Sequence, residues 1–542
     1  MIFAQNIPYV RQHMSFTMAD HEGAAVAHHD LVRAILRYST VIDGIHIFID
    51  GYSDASRKVT ELALSELRGS NVRAEVAVRS VRDMDRLTRE QPHVFFTAES
   101  GFLPLSQSRF AFGRHAYPIC SLVHAIDSPT MLSLYTAMVI SGFSYDTIIA
   151  TSCAGAATVQ SLLEEACQFV RIKVGSDRDA RLKVARIPLG VDTEFIQVRD
   201  KGLCRSILGL PQDRTILLYV GRLSEEQKGD LDPLLLAFRR ILEENRNVHL
   251  LIAGQDSTKN YSTIVDRTAR AIGLEGHISF ILNFPHFSKP LIYSAADIFV
   301  SPADNIQETF GLVLVEALAA GLPIVASDWS GYRDIVNKEN GFTVPTFWDA
   351  SACANISPIA ALSGFNGTRF SLAQRTILDT GELHRTLKLL VNNPDLRQTL
   401  GAGSRERALR KFAWSEIIRQ YDQLWGEQQD KLEEEKARKA PPAFCLDYDR
   451  LFRHFATEVL NPEMKLQINS CNAPVVMRPD FLKAKLPWFV TPEQVSQIID
   501  QLGDGESLSI GNLMSAPCNG SMAAIVWLLK KGVIEIKTSQ SL

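Results

Sequence analysis

The sequence predicts an α/β protein in which two doubly wound parallel-sheet domains face a cleft, followed by a small winged-helix-like module. Three observations predict it. Short β-rich runs alternate with longer helical patterns over the first 200 residues. The alternation starts afresh at residue 215, and it stops at the charged run 427–442, beyond which the pattern changes. Apolar strands interleaved with helices indicate a parallel sheet covered on both faces.

In the first half, "GIHIFID" (44–50) reads as a strand and 56–69 as a helix. "RAEVAVRS", "HVFFTAES", "ICSLVHAID" and "SYDTIIATS" are further strands, with a helix through 155–168 and a last short strand in "VARIPLGVDTEFI". The second half runs "TILLYVGRL", helix 230–245, "VHLLIAG", helix 259–273, "HISFIL", a short helix 287–295, "DIFVSPA" and "LPIVASD". Helical patterns at 382–400 and 403–425 close it. The domains are therefore 1–200 and 201–400, then a crossover helix 401–428, a charged linker 429–443 and the module 444–542. In that module three helical segments precede the strand "VIEIK".

Composition excludes several classes. The chain has 542 residues, 46% apolar and 22% charged, with a net charge of −4, which is ordinary globular usage with no basic footprint for nucleic acid. Its eight cysteines stand singly, without a CxxC pair, as reduced thiols of an intracellular protein do. The start lacks a basic segment followed by an apolar stretch, and the uncharged stretch between Asp127 and Asp146 is too polar for a span. A cytoplasmic protein is expected, with a peripheral place at the inner membrane face left open.

The chemistry gathers in "ETFGLVLVEALAAGLPIVASDWSG" (308–331). A helix beginning near Thr309 or Phe310 would set Glu308 and Glu316 roughly 12 Å apart, the span of an extended nucleotide diphosphate sugar from its sugar to its ribose. Each carboxylate can accept from a vicinal diol. Between them the N–H groups of Phe310, Gly311 and Leu312 at a helix N-terminus favour a pyrophosphate. Taken alone, Glu308 could cap the helix and Glu316 face solvent. Arg222 and Lys228, in "VGRLSEEQKG" after the first strand of the second half, change that reading. Two cations in a strand-to-helix loop suit a leaving diphosphate. His124 ends a strand, where such domains present residues to their cleft. His28 and His29 are adjacent in sequence and so face different sides of a helix, and no metal site is expected with them, His21 and Asp30.

"VGRLSEEQKG", "IPLGVDTEF", "AADIFVSPA", "ETFGLVLVEALAAGLPIVASDWSGYRDIV" and "NGFTVP" resemble, in order, the family 4 glycosyltransferases of GT-B architecture, with two Rossmann-like domains. "FAWSEIIRQYDQLW" resembles that family's final helix, which packs back on the first domain. The resemblance covers about residues 1–428. It implies a hexosyltransferase that moves a sugar from a nucleotide donor with retention of configuration, without a metal or other cofactor. By resemblance Arg222 and Lys228 hold the diphosphate, Glu316 the ribose and Glu308 the sugar hydroxyls. Backbone N–H groups from Thr309 through Phe310, Gly311 and Leu312 touch sugar and phosphate. His124 lies beside the reaction centre. "FILNF" (280–284) stands where the family contacts the base, with Leu282-Asn283 in place of the usual F-x-G, so Asn283 becomes a donor contact. Gly23, with Ala24 and Ala25, stands in place of the glycine-rich loop.

A UDP-sugar donor is favoured and a GDP-sugar admitted. The acceptor is a glycan, a lipid-linked group, a protein or a small molecule. The competing reading is a catalytically inactive nucleotide-sugar or protein-binding module with a regulatory tail. Residues 444–542 carry 9 Lys/Arg against 10 Asp/Glu, so protein or peptide contact or self-association is expected there, and no nucleic acid.

Overall fold

The computed structural model describes residues 1–6, 23–49, 75–98, 100–176, 181–256, 260–438, 441, 443–487, 490–503, 507–515 and 521–537. The helix expected at 56–69 and His21 lie outside the described residues. Residues 445–542 form a compact unit separate from the larger body that ends at Phe444.

The larger body holds two parallel sheets. The first contains β1 (Ile2–Asn6), β2 (Gly44–Ile49), β3 (Glu75–Ser80), β4 (His93–Thr97), β5 (Ile119–Leu122), β6 (Thr147–Ala150) and β7 (Lys183–Arg186), in the order β3-β2-β1-β4-β5-β6-β7. The internal strand β1 was not foreseen. Its five residues, "IFAQN", are too few to show a period, yet they pair with both β2 and β4. The second contains β8 (Thr215–Val220), β9 (Val248–Gly254), β10 (Ile278–Leu282), β11 (Ile298–Ser301), β12 (Ile324–Ser327) and β13 (Gly341–Val344), in the order β10-β9-β8-β11-β12-β13. Both orders reverse direction beside the first strand, and ligands of such sheets bind at that switch point, outside the strands' carboxyl ends. Strands β5, β6, β9, β11 and β12 are wholly buried, as continuous apolar runs covered on both faces should be.

The C-terminal helices of this body differ from expectation. The helical pattern is cut by Asn393-Pro394, where Asn393 caps the next helix through Leu396 N at 3.0 Å. The helices are Thr380–Asn392, Pro394–Arg407 and Trp414–Lys436, the last two separated by a π-helical turn at Ala408–Phe412. The second of them thus crosses residue 400, and the last extends past 428 into the charged run, whose exposed face bears the charge while Leu432 stays buried. That last helix returns to the first sheet. Trp425 is fully buried against Phe3, with ring centroids 5.6 Å apart. Asp422 accepts from Ser39 Oγ at 2.6 Å and Thr40 N at 2.7 Å, and Gln428 donates to the Tyr145 carbonyl at 2.9 Å.

Between β13 and Thr380 the chain makes an excursion. Strands β14 (Thr346–Trp348) and β15 (Thr376–Leu378) pair antiparallel at its base and enclose short helices Cys353–Ile356, Ala360–Ser363 and Phe365–Ala373.

The C-terminal unit has the three expected helical segments, Pro492–Leu502, Ile510–Ser515 and Met522–Lys530, followed by Ile534–Ile536. An additional strand, Lys465–Ile468, forms the middle of its three-stranded antiparallel sheet. Val495, Ile498, Leu502, Leu513, Ile525 and Leu528 make its own core. Among the described residues, no helix is long and apolar enough to cross a membrane.

Candidate active site

A cavity of about 810 Å³ opens at the carboxyl ends of both sheets, lined from the first by residues such as Ser100, His124 and Met131, and from the second by Arg222, Lys228, Glu308 and Glu316. The first domain also reaches it through Ser100, Gly101, Leu103 and Pro104, at and just before the start of the helix Leu103–Ala111.

The helix after Glu308 begins at Leu312, not at Thr309 or Phe310. Gly311 is the reason. Its φ of +109° breaks helical geometry, and a Cβ there would lie 2.6 Å from the Tyr332 ring. Glu308 therefore sits in a turn, its N–H donating to the Asn305 carbonyl at 3.1 Å. The expected rise of eight helical residues between the glutamates does not apply, because only the part from Leu312 is helical. The helix N-terminus still faces the cavity through Gly311, Leu312 and Val313. Phe310 is buried, 6.2 Å from Phe412 between ring centroids, so only its backbone serves the cavity.

Lys228 Nζ lies 3.2 Å from Glu308 Oε2, and Arg222 Nη1 donates to Gln227 Oε1 at 2.6 Å. Behind them, burial pushes the Asp304 carboxyl up to about 7, so this carboxyl carries only part of a negative charge near neutral pH.

Glu316 is only 4% exposed, against the solvent-facing alternative. Lys289 Nζ donates to its Oε1 at 2.6 Å and the Tyr293 hydroxyl to its Oε2 at 2.7 Å. Burial, and then the Glu316 charge, raises the Tyr293 phenol well above its usual value. Sequence reasoning missed both partners. The available signal was a lysine and a tyrosine four apart on the helix Lys289–Ala295, which puts them on one face.

Thr309 is tied to the first domain. Its hydroxyl donates to the His124 carbonyl at 3.1 Å, and its own carbonyl accepts from Ser152 Oγ at 2.6 Å. His124, partly buried at the end of β5, lines the cavity as expected from its place. Asn283 also lines it, with φ +51°, its N–H on the Gly254 carbonyl at 2.8 Å and its Oδ1 accepting from Asp256 N at 3.1 Å. The side chain thus braces the turn. Gly23 opens the helix Gly23–Tyr38, and the residues before it lie outside the described residues. Among the described residues, no three His, Cys, Asp or Glu side chains are grouped to hold a metal. His28 is buried against Gln5, with their side-chain nitrogens 3.1 Å apart.

Residues 200–357 match the family described as glycosyl transferases group 1. A phosphatidyl-myo-inositol mannosyltransferase of Mycobacterium leprae is 33% identical over 171 residues, 31% of this chain and 42% of its own. A D-inositol 3-phosphate glycosyltransferase of Segniliparus rotundus is 31% identical over 150 residues, 28% of this chain and 32% of its own. The alignments thus span less than half the length of these curated relatives. Among solved structures, Anabaena HepE in complex with UDP aligns over 79% of this chain and 99% of its own, with a TM-score of 0.54 at 16% identity. Sucrose-phosphate synthase from Thermosynechococcus elongatus aligns over 80% and 100%, with a TM-score of 0.51 at 18% identity. The fold is GT-B, and residues 200–357 are similar to the group 1 glycosyl transferases.

Proposed function

For a chain related to the group 1 glycosyl transferases, we propose a retaining, metal-independent transfer of a hexosyl group from a nucleotide diphosphate sugar, with UDP favoured. One observation carries this reading: Lys228 Nζ and the Glu308 carboxylate stand 3.2 Å apart at the cavity wall. A cation for the leaving phosphate and an acceptor for sugar hydroxyls therefore lie within one hydrogen bond of each other.

Arg222 and Lys228 meet the diphosphate, and their charge becomes more valuable as the C1–O bond to the β-phosphate lengthens. The N-terminus at Gly311 and Leu312 adds backbone donors and a favourable dipole. Glu308 orients the sugar through its hydroxyls. Glu316 receives the ribose diol, and the turn at Asn283 borders the base. The acceptor hydroxyl enters on the His124 side. It attacks C1 from the face the phosphate leaves, and its proton passes to the departing phosphate oxygen. The acceptor is a glycan, a lipid-linked group, a protein or a small molecule. The M. leprae and S. rotundus relatives are named for inositol-containing substrates, which places polyols among the acceptors to try.

Calorimetry with UDP, GDP and ADP tests the reading, followed by donor turnover with the sugars of whichever nucleotide binds. Binding of UDP in preference is expected. Failure of all three to bind overturns the proposal, and binding without turnover leaves the inactive binding module instead.

A further inference from the structure

The excursion 346–378 stands apart from the motifs used so far. The family match ends at residue 357, inside it. From 350 to 368 it holds no charged residue, and the first charge beyond is Arg369. That guanidinium is not at the surface. Arg369 is 5% exposed and its partner Asp127 only 1%. The two are joined in a fork, Nε to Oδ2 and Nη2 to Oδ1, the latter at 3.1 Å. Asp127 lies three residues past His124 in the loop after β5 of the first domain, so this buried pair bridges the two sheet domains. Asn366 and Arg369 themselves line the cavity, on the side where the first domain contributes Leu103, Pro104, Met131 and Leu134. A second tie, Gln374 Nε2 to Glu225 Oε1 at 3.3 Å, fixes the far end of the excursion to the loop that carries Lys228.

We propose that the excursion 346–378 is the acceptor-side wall of the cleft, and that Arg369, gripped by Asp127, is the positioning residue that holds this wall closed against water. The proposal rests on the nucleotide-sugar reading above. An arginine fork fits a carboxylate in one geometry, which a surface lysine would not impose. A buried pair that loses one member leaves a charge without its counterpart, so the wall is released rather than loosened by degrees. With the wall closed, the sugar bound beside Glu308 meets only an acceptor that fits the uncharged surface of Leu103, Pro104, Met131 and Leu134. With the wall open, water takes the acceptor's place. Its oxygen bonds C1, the C1–O bond to the diphosphate breaks, and the water proton leaves with the diphosphate.

Arg369→Gln and Asp127→Asn are compared with the wild type and with the swapped pair Asp127→Arg/Arg369→Asp. UDP affinity is measured by calorimetry, hydrolysis by release of UDP from whichever of UDP-glucose, UDP-galactose and UDP-N-acetylglucosamine binds, and opening by amide hydrogen exchange over 124–131 and 360–373. Each single variant is expected to keep UDP affinity, to raise hydrolysis about tenfold, and to raise exchange in both segments. The swapped pair moves all three back toward wild type. Unchanged hydrolysis in both single variants, with UDP bound, overturns this proposal alone. A parallel loss of UDP affinity also overturns it, because Arg369 would then be a donor contact. If the wild type binds no nucleotide, the nucleotide-sugar reading itself fails. Unaltered exchange in both single variants rejects the bridge whatever binds.

Discussion

Lys289 donates to Glu316 across 2.6 Å, so the carboxylate expected to receive a ribose already has a cation against it. With Tyr293 on its other oxygen, Glu316 is held in one orientation at 4% exposure. A ribose diol must share the carboxylate with these two donors. Lys289→Met should cost about 3 kcal/mol of stability, since it leaves a buried carboxylate without its cation. The double variant Lys289→Met/Glu316→Gln should lose less than the sum of the single changes, with a coupling of about 1–3 kcal/mol in denaturant unfolding. Additive losses would mean that the two side chains do not act as a pair.

The Lys228–Glu308 pair should separate binding from turnover. Lys228→Ala is expected to weaken UDP by about tenfold to a hundredfold, the usual worth of a hydrogen bond to a charged group. Glu308→Gln should leave UDP affinity nearly intact while lowering donor turnover by about a hundredfold, because its hydroxyl contacts belong to the sugar. Equal losses of UDP affinity in both variants would contradict the assignment. Turnover should be insensitive to EDTA, with Arg222 and Lys228 supplying the positive charge.

Gly311→Ala tests the turn that starts the helix. With φ at +109° and the Tyr332 ring 2.6 Å from the new Cβ, the change should destabilise the protein by about 2 kcal/mol. It should also reduce the upward shift of melting temperature that UDP produces, because the backbone donors at Leu312 and Val313 would be displaced. A variant with wild-type melting both with and without UDP would refute this.

His249 makes an acid-side prediction. Burial, then Arg214 and His277, lowers its pKa from 6.5 to about 4, while its Nε2 lies 2.9 Å from Ser279 Oγ. The unfolded chain takes up a proton near 6.5 and the folded chain not until about 4. Stability from this group is therefore complete above 6.5 and falls through that window, by about 3 kcal/mol in all. His249→Gln should flatten the fall in melting temperature between about pH 7.5 and about pH 4.5. An unaltered slope would count against burial of a neutral ring.

The sheets could be read from the sequence because their strands are continuous apolar runs separated by helices, and the restart of the alternation at residue 215 marks the second sheet, whereas the charged run from 427 begins as a continuation of the helix Trp414–Lys436. The short internal strand Ile2–Asn6 could not, since five residues define no period and only its two neighbours identify it. At the site, the residues with chemistry could be placed in a common loop-and-helix context by order and spacing. Their partners could not. Lys289 meets Glu316 from 27 positions away and Thr309 meets His124 from 185, distances along the chain that carry no periodic signal. The helix starts at Leu312 and not earlier because Gly311, expected among the first N–H donors of the helix, has a backbone angle that makes it the break.

The return of the helix Trp414–Lys436 to the first sheet has a consequence for synthesis on the ribosome. Phe3 and Phe96, near the chain's beginning, find Trp425 and Tyr421 only after more than four hundred residues have been translated. Until that helix leaves the exit tunnel, the nascent first domain must carry an open apolar seam. It also lacks the Asp422 acceptor for Ser39 and Thr40. The usual order, in which the amino-terminal domain matures first, is therefore reversed at its last step, and the first domain is finished by the end of the second.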